Sequence, residues 1–313
     1  MATIHTLNAE RATLHGHFSR DVPPVLTIDA GDTVRFQCLE AMWGLEPHNG
    51  LNNERRFLEN RDPELDDGHA LTGPVFIRGA QPGMTLAVRV NELRVGQWGT
   101  TMAGGWSNKW NDRLGASQKG VGVFHVWTYN HEAGIARNQH GHQVTMRPFM
   151  GVYGMPPAEA GIHSTIPPRV TGGNMDCKEL VAGSTLYLPI AVEGGLFSVG
   201  DGHAAQGDGE ICVTAIECPM DLVDLTFNVL DDMPLTTPIA NTPAGWLTLG
   251  FHEDLDEAVV IALEAMLALL KRLHGLERYD ALALASLTVD FRITQMVNNV
   301  RGVHAVLPHG AIR

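Results

Sequence analysis

The stretch "AGDTVRF", Ala30–Phe36, sets a glycine turn and then alternates polar and apolar residues. Val34, Phe36 and Cys38 fall on one face, and Thr33, Arg35 and Gln37 on the other. Alternation with a period of two, directly after a turn, is the pattern of a half-buried strand. The same build returns in "PGMTLAV", Pro82–Val88, and in "AGSTLYL", Ala182–Leu188. The copies are unevenly spaced, so they read as three strand starts and not as a repeat. With 34 glycines and 17 prolines in 313 residues, the chain is predicted to be rich in turns and short strands.

Working outward, Gly151 to Pro189 is dense in glycine and proline and reads as loops with apolar flanks. "GEICVTAIEC", Gly209–Cys218, reads as a strand, along which Glu210 and Glu217 face opposite ways unless a bulge intervenes. Near residue 250 the period changes. Leu255, Val259, Ala262, Met266, Leu269 and Leu273 follow helical spacing, with acids at the start, Lys271, Arg272 and His274 near the end, and Gly275 as the stop. A second helix is predicted over Tyr279 to Val297. The fold class is therefore α+β with β dominant, a β-rich part over residues 1–250 and a helical part over 251–313.

The bulk numbers narrow the function. A formal net charge of −13 disfavours nucleic acid and anionic membrane as partners, since both reward Lys and Arg. The four cysteines form no Cys-x-x-Cys pair, so a reducing compartment, the cytoplasm, is expected in place of a disulfide framework. The N-terminal "MATIHTLNAERATLHG" has no apolar core of a secretory signal, and no apolar run approaches the ~20 residues of a membrane span.

No Gly-x-Ser-x-Gly elbow, Walker A loop or dinucleotide fingerprint is present. Cys177 is conceivable as a nucleophile but reads more readily as a small buried thiol. Metal chemistry has more support. In "SVGDGHAAQGDGE", Ser198–Glu210, Asp201 and His203 lie two apart and project to one side of an extended chain. Asp208 and Glu210 repeat the spacing, and Asp176 offers a third carboxylate from a separate loop. Such ligands suit Zn²⁺, Mn²⁺ or Fe²⁺, with Ca²⁺ open for an all-oxygen site. Gly-Asp pairs also serve plain β-turns, and that reading stays open here. An EF-hand is excluded, because His203 and Ala205 stand where it needs oxygen ligands. His69, His140 and His142 each read individually as structural.

Several segments, taken together, resemble the acetamidase/formamidase family. They are "GGNMD" (Gly172–Asp176), "GSTLYLPI" (Gly183–Ile190), "GDGHAAQGDGE" (Gly200–Glu210), "LTGPVFIRGAQPGMTL" (Leu71–Leu86), "MGVYGMPPA" (Met150–Ala158) and "VDFRITQMVNNVRGVHAVLP" (Val289–Pro308), in order over nearly the whole chain. The resemblance implies one domain over residues 1–313 with a β-sandwich-like core and C-terminal helices. It implies hydrolysis of small amides such as formamide and acetamide, with release of ammonia, and lactam opening in some relatives. It implies a divalent metal, zinc before calcium, and a homo-oligomer. On this footing Asp176, Asp201 and His203 are assigned to the metal, with Asp208 as a further candidate ligand or as the alternative to Glu210. Glu210 is the general base and then acid, His69 assists at the site, and Gly173 and Asn174 contact the substrate. The alternative is a non-catalytic, metal-stabilised small-molecule binding protein of the same fold. The chain departs from the family pattern at Met84, at Glu40 and across "NHEAGIARNQHGHQ" (Asn130–Gln143), which is expected to line the pocket.

Overall fold

The structure, a computed structural model, describes residues 2–48 and 55–313. The three glycine-led segments form the strands Thr33–Cys38, Thr85–Val95 and Thr185–Pro189. In the first, Val34, Phe36 and Cys38 are buried while Arg35 and Gln37 are exposed, as the alternation predicts. All three belong to one nine-stranded sheet. Its order runs Ile4–Leu7, Thr33–Cys38, Met220–Leu230, Thr85–Val95, Thr185–Pro189, Ile239–Thr242, Gly245–His252, Arg301–Leu307 and Asp290–Gln295.

A second sheet of eleven strands has the spine Gln143–Thr145, Ile135–Asn138, Val123–Asn130, Trp98–Ala103, Glu217–Cys218, Phe197–His203, Phe149–Gly154 and Gly172–Asn174. Leu71–Ile77 also pairs with Phe197–His203 and carries Leu14–His15 and Leu26–Ile28. The two sheets meet through apolar side chains. Phe197 of the second lies 6.5 Å and 5.0 Å, centroid to centroid, from Phe36 and Phe227 of the first. Val34, Val88, Leu186, Leu225 and Val199 close the same core with no exposed surface. The β-dominant α+β class and its sandwich-like core hold.

Helix α1, Lys109–Leu114, is short; α2 spans Leu255–His274 and α3 spans Arg278–Thr288. Asp254 caps α2 by accepting from the backbone N–H groups of Asp256 and Glu257, and Gly275, at φ 69°, ends it. Ala258, Ala262, Met266 and Leu269 are buried, whereas Leu273 stays outside. The helix lies hard against the nine-stranded sheet at Gly250, where a Cβ would stand 2.0 Å from the Ala258 carbonyl oxygen.

Two expectations are corrected. The second helix ends at Thr288, because the chain turns into the strand Asp290–Gln295, whose backbone pairs with Arg301–Leu307. Residues beyond 250 are thus helix and sheet together, not a helical part alone. The predicted strand over Gly209–Cys218 exists only at Glu217–Cys218. Before it, Gly209 bridges to Gln295 and Glu210 takes a left-handed turn at φ 45°.

Candidate active site

The strand Phe197–His203 ends in Asp201 and His203, which lie on the same side, as a spacing of two requires. Asp201 sits at φ 60°, a left-handed conformation that aspartate tolerates better than most residues. The His203 ring donates from Nε2 to Asp201 Oδ1 at 3.1 Å. Glu217 Oε2 lies 3.0 Å from the same nitrogen but is not aligned with its N–H, which is already committed. Glu217 is held from behind by the Ala215 N–H, which donates to Oε1 at 2.7 Å. Phe149 packs edge-on against the His203 ring at 5.0 Å.

Asp176 arrives from the loop after Gly172–Asn174, also left-handed at φ 50°. Its Oδ2 accepts from the Asn298 side-chain amide, and its carbonyl oxygen accepts from Gln206. Gly151 makes the approach of Asp176 to Asp201 possible. A Cβ there would stand 2.2 Å from Asp201 Oδ2 and 2.6 Å from Asp176 Oδ1. Glu210 completes the group from its turn beside Gln295 and lines the same cavity as Glu217. Asp176, His203 and Glu210 each offer an atom within 4.8 Å of the others, and so do Asp201, His203 and Glu217. All five residues are buried.

So much buried negative charge shows in the proton affinities. Burial pushes the Asp176 carboxyl up to about 6 and the Glu217 carboxyl up to about 8. Burial, then the Asp176 charge, holds Glu210 well above the ordinary carboxyl range. Burial acts the same way on Asp201, but the imidazoles of His203 and His69 outweigh it and keep Asp201 ionised below that range. For His203 burial opposes the proton, and Glu217 and Asp201 overcome it. Four carboxyl groups and an imidazole are what a cation would hold together. Asp176 Oδ1, His203 Nδ1 and Glu210 Oε2 are buried without a hydrogen-bond partner, which native interiors rarely allow unless a water or ion belongs there. Imidazole among carboxylates fits Zn²⁺ and its neighbours better than Ca²⁺, which takes oxygen.

The other sequence candidates divide. His69 lines the cavity, fixed at Nδ1 by the Thr165 hydroxyl at 2.8 Å. Asn174 lines it too; its amide nitrogen donates to the Ile166 carbonyl while Oδ1 has no partner. Gly173 lies one residue back in the same strand, at φ 95°. Asp208 is drawn away from the cluster into an ion pair with Lys178 at 2.8 Å. Cys177 is wholly buried, its thiol pushed by burial up to about 12, which makes it a core residue and no nucleophile. The segment Asn130–Gln143 forms a hairpin at the sheet edge, and none of its residues lines the cavity. Glu40 is buried, accepts from the Met42 and Gly44 N–H groups and pairs with Arg55 at 3.1 Å, so it shapes the turn that brings Ala41 and Met42 to the cavity.

Sequence reasoning set Glu217 aside as facing away from Glu210, and missed Asn298 and Gly151. Glu217 had a signal: a lone acid between Ile216 and Cys218 in an apolar run is costly unless something uses it. Asn298 and Gly151 had none short of the fold itself.

The family model for the acetamidase/formamidase family matches residues 3–164 and 158–310. The chain is 27% identical over 249 residues to a formamidase of Methylophilus methylotrophus, and 26% identical over 254 residues to an acetamidase of Mycolicibacterium smegmatis. Each alignment covers 63% of this chain, and the chain spans only 59% and 61% of those relatives' lengths. A crystal structure described as a predicted acetamidase/formamidase from Thermoanaerobacter tengcongensis superimposes with a TM-score of 0.84 at 26% identity, over 98% of this chain and 96% of that one. The chain belongs to the acetamidase/formamidase family.

Proposed function

We propose that this protein hydrolyses the C–N bond of amides, releasing ammonia from linear ones, with a divalent cation, zinc by preference, held by Asp176, Asp201 and His203. One observation carries the reading. Asp176 and Asp201, from two separate segments, meet over Gly151, and His203 offers a nitrogen within 4.8 Å of a carboxylate oxygen of each, with unpartnered atoms on Asp176 and His203. A cation of this kind polarises a carbonyl and brings the pKa of water to roughly 7.

The chain's own groups supply the rest. Ammonia leaves poorly until it is protonated, so a group must move a proton from the attacking water to the departing nitrogen. Glu210 is that group, since its raised proton affinity lets it hold a proton and its turn places it at the cavity. Glu217 orients His203 from the side opposite its free Nδ1. Asn174 Oδ1, lacking a partner, accepts an N–H of the substrate amide, and Gly173 lets the backbone bring it there. His69, anchored at Nδ1, donates from Nε2 to the developing oxyanion.

The test is dialysis against a strong chelator. Ammonia release from amides should fall to background and return with zinc. Full activity in metal-free protein contradicts the reading. Bound metal and bound amide without ammonia would mark the non-catalytic binding protein instead. We also place the protein in the cytoplasm, in keeping with its four free cysteines, and as a homo-oligomer, in keeping with exposed Tyr279, Leu282, Leu287 and Phe291 on α3 and the edge strand after it. Among the described residues, no helix is long and apolar enough to cross a membrane.

A further inference from the structure

The floor of the cavity is charged, but most of its wall is apolar. Met42, Met102, Trp106, Phe124, Ile166 and Val213 line a space of about 630 Å³ that reaches Asp201, Glu210 and Glu217. A cavity of that size encloses ligands as large as a drug molecule. Acetamide has four non-hydrogen atoms and displaces the space of about three waters, at roughly 30 Å³ each. It would leave most of the chamber as water against apolar walls, where hydration is unfavourable.

The wall is also maintained against local strain. Val213 is β-branched yet held at φ 77°, a conformation in which such a residue is a genuine outlier. Its isopropyl group stays on the cavity lining at a local cost of order 1 kcal/mol. Phe124 packs against the His48 ring, also on the lining, at 4.9 Å. Trp106 follows Gly104 and Gly105, both left-handed, which turn the chain sharply into the lining. The unpartnered acceptor oxygens of the lining belong to Asn174, Glu210 and Glu217, and these claim the amide nitrogen. The apolar space is left to the acyl side.

We propose that the preferred substrates are primary amides with a bulky apolar acyl group, such as arylacetamides, and not formamide or acetamide; this rests on the amidase reading above. The acyl group fills the chamber and excludes water from the floor. The reaction is unchanged: water adds to the carbonyl, the C–N bond breaks, and the carboxylic acid and ammonia leave.

The experiment measures kcat/KM for ammonia release by the zinc-loaded protein on formamide, acetamide, hexanamide and phenylacetamide. Phenylacetamide is expected to exceed acetamide by about 100-fold or more, since even one well-placed methylene is worth ~10-fold. Met102→Trp, which narrows the chamber, is expected to cut that ratio about 10-fold or more. Formamide or acetamide turned over as well as phenylacetamide overturns the inference and leaves the amidase reading standing. If no amide yields ammonia, the amidase reading fails, and calorimetric binding of phenylacetate against acetate decides the inference. Tighter phenylacetate binding by about 100-fold supports it, and equal binding overturns it.

Discussion

The strand Phe197–His203 begins in the core between the sheets and ends in the cavity floor. At its start, Phe197 and Val199 are packed into the apolar core, and Phe197 meets Phe227 edge-on with centroids 5.0 Å apart. At its end, Asp201 and His203 are equally buried but surrounded by charge. The first half satisfies every rule of a stable interior. The second breaks three of them: like charges stand together, polar atoms lack partners, and the backbone is left-handed at non-glycine residues. Asp176, Asp201, Glu210 and Val213 account for four of the eight non-glycine residues with positive φ among the described residues. Violations gathered this densely at one place mark where stability has been given up for chemistry.

The contrast can be broken from either end. Gly151→Ala has the largest expected effect. Its Cβ would enter the 2.2 Å gap to Asp201 Oδ2 and separate the two aspartates. Bound metal should be lost and amide turnover should fall by roughly 100-fold or more, since a displacement of about 1 Å is enough for that. Circular dichroism should still show the native sheets. Phe197→Ala does the reverse. It should lower stability by about 3–5 kcal/mol in urea unfolding while the folded fraction keeps its metal.

A smaller effect sharpens the comparison through pH. His15 and His304 are buried outside the cation cluster and are held neutral. Burial depresses both to about 4, with His15 bonded to the His17 carbonyl and Ser198, and His304 to Thr294. The unfolded chain takes up these protons near 6.5. Between the two values the unfolded state binds more protons, so stability is complete above ~6.5 and is lost as pH falls towards 4, by up to about 3 kcal/mol per ring. The difference between wild type and His304→Gln across that window should show it, and a parallel pH profile would contradict it.

The same division explains what could be read in advance. Period-two alternation with glycine punctuation found the strands at Thr33, Thr85 and Thr185, because a half-buried strand writes its environment into its own residues. The cap and stop of α2 were legible for the same reason. Asp201 and His203 converge because they share a strand, and a spacing of two is local information. Glu210 and Glu217 share the cavity only because the supposed strand between them is a left-handed turn docked on Gln295, 85 residues further along the chain, and no local pattern records that. Asp208 carried the same local spacing as Asp201, yet Lys178 claims it. The helix predicted through Val297 stopped early because a sheet edge was available to Asp290–Gln295, which is tertiary context overriding local propensity.

The central claim is that Asp176, Asp201 and His203 hold one cation. Crystals soaked in a zinc salt, with data collected at the zinc absorption edge, test it most directly. The account predicts one strong anomalous peak at roughly 2.0–2.2 Å from an oxygen of each aspartate and from a nitrogen of His203. No peak between those three side chains, with zinc bound elsewhere or not at all, would contradict it.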